Sequence, residues 1–176
     1  SELDQQDYQS IFAKRLGAVA APTASLHFTP PLLNEIKLQG VKQVNITLHV
    51  GAGTFLPVTA SDSDDHTMHS EWAELTNDAI SLIKETKKSG GRVIALGTTV
   101  LRVLESAALN GELRAFSGET DLFITPGFTF RVVDLLLTNF HQPRSTLIML
   151  VAAFAGTNRI LEAYEYAKNN GYRFLS

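Results

Sequence analysis

The chain has 176 residues, of which 44% are hydrophobic, and a formal net charge of −3. That length supports one sizeable core and one domain, and the mild acidity excludes a global basic field, so any nucleic-acid contact must rest on a local patch. The chain has no cysteine, which excludes disulfides, thiolate metal sites and a cysteine nucleophile, and no apolar run reaches the roughly 18 to 20 residues that span a bilayer.

The polar start over 1–9 lacks the apolar core of a signal peptide, so an intracellular, cytoplasmic protein is expected. The absence of Met at position 1 and the ending Phe174-Leu175-Ser176 suggest that flanking residues are missing. Tyr8, Ile11 and Phe12 fall at helical spacing behind an acidic start, which predicts a helix over 4–14. Thr29 before Pro30, with Gly40 beyond, predicts a capped helix over 30–39. Val44, Ile46 and Leu48 alternate with Asn45, Thr47 and His49, the period of a strand over 41–50.

Gly51-Ala52-Gly53-Thr54 then reads as a turn permitting close backbone approach. It starts like a dinucleotide fingerprint but lacks the third glycine, since position 56 is Leu. Residues 62–65 are an acidic, solvated loop, and 66–75 read as a second strand with Met68, Ser70, Trp72 and Glu74 on one face, its facing ambiguous. Thr76 caps a helix ended by Lys87, Lys88 and Gly90-Gly91. The unit repeats as a strand over 92–96, the turn Gly97-Thr98-Thr99 and a helix over 100–109.

Residues 122–125 read as a further short strand, and 128–137 as extended or mixed chain. A polar knot follows, Thr138-Asn139-Phe140-His141-Gln142-Pro143-Arg144-Ser145, between two apolar runs. Helices over 145–155 and 158–169 and a final strand over 172–175 complete the chain. Strands alternating with helices through short turns predict an α/β architecture of parallel βαβ units, a barrel-like domain that is incomplete if flanking sequence is missing.

In such folds ligands bind where strands end and helices begin. Four such places are rich in glycine or hydroxyl: 49–54, 97–99, 125–127 and 139–145. Gly97-Thr98-Thr99 ahead of a helix offers backbone N–H groups to an anion, although a plain N-cap and tight turn explain it equally well. Arg102 and Glu105 stand one turn apart, the spacing of a solvated pair, with Arg102 a candidate to face the site. His66 and His69 point to opposite faces of a strand, so no metal is expected there. His49 and His141 are candidates for proton transfer, because imidazole titrates near neutral pH. His69 is followed by Ser70-Glu71, which can supply a carboxylate. The nucleophile elbow of an acyl hydrolase and the P-loop of an ATPase are both missing.

Several blocks, taken together and in order, carry a resemblance: Asp7-Tyr8-Gln9, the stretch from Ala18 to Thr29, Thr47-Leu48-His49-Val50-Gly51-Ala52-Gly53-Thr54-Phe55, Met68-His69-Ser70-Glu71-Trp72, Gly97-Thr98-Thr99 and Leu137-Thr138-Asn139-Phe140-His141. The sequence closely resembles the S-adenosylmethionine:tRNA ribosyltransferase-isomerase family of queuosine biosynthesis. The resemblance implies transfer and isomerisation of the ribosyl moiety of S-adenosylmethionine onto 7-aminomethyl-7-deazaguanine at the tRNA wobble position. The products are epoxyqueuosine, adenine and methionine.

S-adenosylmethionine is then a consumed substrate, with no cofactor and no metal, and the partners are tRNA and S-adenosylmethionine, with no membrane and a monomeric chain. The resemblance implies an α/β-barrel domain spanning 1–176 as the C-terminal part of a longer chain, without the family's inserted β-rich domain. It places His49, His69, Glu71 and His141 as alternatives for the base that removes the C5′ proton. His27, Thr29, Gly51, Gly53, Thr54, Thr98, Thr99, Arg102, Asn139, Arg144 and Ser145 become substrate-binding candidates. Phe28, Phe55 and Phe140 are candidates to stack an unpaired anticodon base. Two motifs depart from the family's pattern: Val100-Leu101 stand where Ser-Val is common, and Gln142 and Arg144 where Leu and Lys are common. Two other readings compete, a non-catalytic tRNA-binding fragment and an unrelated barrel enzyme acting on a small phosphorylated substrate through Gly97-Thr98-Thr99.

Overall fold

The computed structural model of the chain describes residues 9–14, 18, 20–50 and 68–175. Within them a 3-10 turn over Thr23–His27 leads to α1 (Pro30–Leu38), β1 (Thr47–His49), β2 (Glu71–Leu75), α2 (Asn77–Lys88), β3 (Ile94–Leu96), α3 (Thr98–Ser106), β4 (Phe116–Thr120), β5 (Leu135–Leu137), α4 (Thr146–Ala155) and α5 (Thr157–Asn169).

The helices begin where their caps predict. The Thr29 hydroxyl accepts from the Leu32 N–H, the Thr76 hydroxyl from Ala79 and the Ser145 hydroxyl from Ile148, each satisfying a first-turn donor that the helix itself leaves open. Asp78 in the first turn of α2 and Lys87 and Lys88 in its last complement the helix dipole. Gly156, at φ 93°, ends α4 and starts α5, and the two helices meet at a 116° bend. Glycine reaches that dihedral without a Cβ penalty.

The sheets depart from the parallel expectation. β2 lies between β1 and β4 and is antiparallel to both, with His49 opposite Trp72 and Ala73 opposite Gly118. Among the described strands only β3 and β5 pair in parallel, Ala95 opposite Leu136. The described residues form a mixed α/β structure of two small sheets and five α-helices, and no closed barrel is formed among them. Short connections predict which elements neighbour one another but not the direction of pairing. That direction is decided by which strands meet across the core.

Three element expectations change. Over 9–14 the chain makes a turn rather than a helix: the Ser10 carbonyl accepts from Ala13 and its hydroxyl from the Phe12 N–H, so serine diverts donors that a helix would use; the rest of that segment lies outside the described residues. The strand expected at 122–125 is irregular chain with Ile124 buried in the core, and pairing falls instead on β4, whose Gly118 and Glu119 give no strand signal. Residues 172–175 form no strand, although the Leu175 N–H donates to the Phe140 carbonyl at 2.9 Å. The turn at 51–54 and the acidic loop at 62–65 lie outside the described residues.

The core joins Ala73 and Leu75 of β2, Ala79, Ile80 and Ile83 of α2, Ala95 of β3, Leu101 and Leu104 of α3, and Leu150 and Val151 of α4. Alternation on β2 turns Glu71, Ala73 and Leu75 inward, the face opposite to Trp72 and Glu74. A glutamate therefore enters the core at the first position of that strand. Arg102 of α3, 2% exposed, meets it there in a buried ion pair.

Candidate active site

The end of β3, the start of α3 and the chain after β5 converge on one cleft. Its walls include Thr23 and Ala24, Leu48 and Val50, Gly97 to Val100, and Thr138, Asn139 and His141. The Gly97 N–H donates to the Leu137 carbonyl at 2.8 Å, which ties the turn after β3 to the end of β5. Gly97 itself sits at φ 96°, and no side chain caps α3. The first-turn N–H groups of that helix are therefore left at the cleft wall beside the Thr98 and Thr99 hydroxyls, an arrangement that favours a negatively charged ligand.

Opposite that helix start, the Asn139 amide is held at both ends. Its NH2 donates to the Thr23 hydroxyl at 2.9 Å, and its carbonyl oxygen meets His27 Nε2 at 2.9 Å. The 3-10 turn and the polar knot, 116 and 112 residues apart at these two bonds, are thereby locked together. His141 is 6% exposed, its Nε2 lies 3.2 Å from the Thr138 hydroxyl, and its backbone N–H donates to the Tyr164 hydroxyl at 2.8 Å. Burial lowers the His141 pKa to about 4, because desolvation penalises the charged imidazolium. The ring is neutral at neutral pH. The same surroundings raise the Tyr164 pKa by desolvation, against the pull of the His141 N–H.

The other candidates sort by position. His49 is half-buried against Trp72, with ring centroids 5.0 Å apart, and on β1 it points away from Leu48, a cleft residue. His69 is exposed ahead of β2. Glu71 and Arg102 form an ion pair in the core, so the solvated pairing of Arg102 with Glu105 does not occur. Burial alone lowers the Arg102 pKa to about 10, which leaves it charged. Glu105, 1% exposed, instead accepts three backbone N–H groups, from Arg131 at 2.8 Å, Val132 at 3.0 Å and Val133 at 2.9 Å. Thr29 and Ser145 serve as helix caps. Arg144 is exposed at φ 56° in the turn ahead of α4 and does not line the cleft. Gly51, Gly53 and Thr54, like Phe55, lie outside the described residues.

Sequence reasoning missed Thr23, Tyr164 and the role of Glu105. Tyr164 carries no signal beyond aromatic spacing along α5, and Thr23 stands in a stretch of small residues with no chemical motif of its own. Among the described residues no three His, Asp or Glu side chains gather where they can hold a metal ion, and no single helix is long and apolar enough to cross a membrane.

Comparison with known proteins places the chain in a family. Residues 1–176 match the family described as queuosine biosynthesis protein. A protein of Zymomonas mobilis named S-adenosylmethionine:tRNA ribosyltransferase-isomerase is 60% identical over 98% of this chain, and one of the same name from Methylocella silvestris is 58% identical over 99%. The chain covers 51% and 49% of those proteins, so it spans about half the length of the curated relatives it matches. The crystal structure of S-adenosylmethionine tRNA ribosyltransferase from Thermotoga maritima superposes with a TM-score of 0.73 at 43% identity, covering 88% of this chain and 49% of that one. A match over every residue, together with that shared structure, means that the chain belongs to the queuosine biosynthesis protein family.

Proposed function

We propose that the chain carries part of the site that transfers and isomerises the ribosyl moiety of S-adenosylmethionine onto 7-aminomethyl-7-deazaguanine in tRNA, yielding epoxyqueuosine and releasing adenine and methionine. The observation that carries this reading is the cleft where the uncapped start of α3, Thr98, Thr99, Asn139 and neutral His141 converge. A methionine carboxylate fits the α3 N-terminus, where N–H groups and two hydroxyls meet a negative charge. Its sulfonium acidifies the adjacent C5′ position, so a modest base suffices to form the ylide that attacks the modified base.

Among the four candidate bases, His141 is the one in the described cleft wall. A ring kept neutral by burial can donate one hydrogen bond and accept another. That suits it to the departing adenine, whose ring nitrogens need a donor as the glycosidic bond breaks. The Asn139 amide, fixed by His27 and Thr23, supplies a polar wall that does not reorganise when substrate arrives. S-adenosylmethionine is consumed in this scheme, and no cofactor enters it. A barrel-like α/β domain, a monomeric chain and a cytoplasmic site of action belong to the same reading.

Incubation with S-adenosylmethionine and tRNA bearing the deazaguanine precursor tests it. Adenine and methionine released together support the reaction. Formation of S-adenosylhomocysteine, or tight phosphate binding with no response to S-adenosylmethionine, overturns it.

A further inference from the structure

A second cleft lies across the Thr138 and Asn139 wall from the first, lined by His27, Asn139, Phe140, Tyr172 and Arg173. Its groups have a shared chemistry that the donor cleft lacks. Tyr172 is 55% exposed, yet its ring is braced by Phe140 at 5.8 Å and Tyr166 at 6.4 Å. Phe140 is in turn packed edge-on against Tyr164, with centroids 5.1 Å apart. Arg173 is exposed and makes no ion pair among the described residues.

The segment that carries both residues is tied down on either side. The Tyr172 N–H donates to the Ala167 carbonyl at 3.0 Å and the Leu175 N–H to the Phe140 carbonyl at 2.9 Å. The cleft thus offers a fixed, solvent-facing aromatic platform, one uncommitted guanidinium, and an imidazole–amide pair as a hydrogen-bonding wall.

A flat π-face, a single cation and fixed hydrogen-bonding groups are what one unpaired nucleotide requires: stacking for the base, charge for its phosphate and polar atoms for the base edge. A duplex does not fit this description, because it is bound through many phosphates and this chain carries a net charge of −3. We propose that the second cleft seats an unpaired nucleotide of the RNA substrate, its base on Tyr172 and its phosphate on Arg173, beside the donor cleft. This rests on the tRNA reading of the function. The shared Asn139 wall then separates donor from acceptor by one side chain.

The test measures binding of a fluorescein-labelled stem-loop RNA to the full chain, against the same sequence closed into a duplex and against a free nucleoside monophosphate as competitor. The loop RNA binds more tightly than the duplex, and the monophosphate competes weakly. Tyr172→Ala weakens loop binding between about fivefold and about 150-fold, the range for loss of one base–aromatic stack, and Tyr172→Phe preserves it. Arg173→Ala makes the slope of log affinity against log salt shallower by about 0.7, the value for one phosphate contact on a single strand.

Binding of S-adenosylmethionine, followed by calorimetry, is unchanged in all three variants. Equal binding of loop and duplex, wild-type loop affinity in Tyr172→Ala, an unchanged salt slope in Arg173→Ala, or no RNA binding by the chain overturns the proposal. Adenine release by a chain whose RNA affinity ignores both substitutions leaves the reaction standing and removes the second cleft. Variant-sensitive loop binding without adenine release removes the reaction and keeps the cleft.

Discussion

Replacing Glu105 with glutamine tests how the polar knot is delivered to the cleft. Glu105 Oε1 accepts from the Val132 and Val133 N–H groups and Oε2 from Arg131, at 2.8 to 3.0 Å, in a side chain that is 1% exposed. Those three residues lead into β5, and β5 leads into Thr138, Asn139 and His141. A glutamine carbonyl can keep the Val132 and Val133 bonds, but its NH2 then faces the Arg131 N–H, donor against donor. Arg131 is exposed and can turn to water, whereas the remaining two bonds lose their charge assistance. Hydrogen bonds to a charged group contribute about 1.5 to 3 kcal/mol each and neutral ones about 1 kcal/mol, so the expected loss is about 3 kcal/mol. For a chain of this length that is a fall of roughly 6 to 12 °C in Tm. Thermal and urea unfolding followed by circular dichroism measure it, and hydrogen exchange reads the amides of 131–133, which open faster in the variant. A loss below about 0.5 kcal/mol with unchanged exchange at those amides refutes the view that Glu105 organises this segment.

Two further outcomes follow from the buried charges. Arg102→Ala takes the guanidinium away from the buried Glu71 carboxylate and costs about 3 to 5 kcal/mol, while the paired replacement Glu71→Leu with Arg102→Met restores most of it; urea unfolding of the single and double variants decides, and a double variant no more stable than Arg102→Ala contradicts the argument. His141, with a folded pKa of about 4 against an ordinary 6.5, binds a proton more readily when unfolded. Stability is therefore full above about pH 6.5 and is lost as pH falls toward 4, by up to roughly 3 kcal/mol. His141→Asn, which cannot titrate in this range, flattens that part of the stability–pH curve, and an unaltered curve refutes the assignment.

The sequence by itself determined most of the helices and the neighbourhood of the cleft. Local chemistry suffices for both: Thr29, Thr76 and Ser145 cap helices through bonds that span three residues, Gly156 ends one by its own dihedral freedom, and the motifs at 97–99 and 138–141 carry the family pattern. Tertiary structure alone decided the direction of the strands, the strand at Phe116–Thr120, and the fate of each charged candidate. Strand pairing is a long-range choice, so an irregular stretch with Gly118 becomes a strand because β2 lies beside it, and apolar 122–125 does not. Whether a carboxylate meets substrate or a guanidinium depends on which way its strand faces. Glu71 on the inner face of β2 finds Arg102, His49 on the outer face finds Trp72, and His141 is left in the cleft wall, neutral because it is buried there.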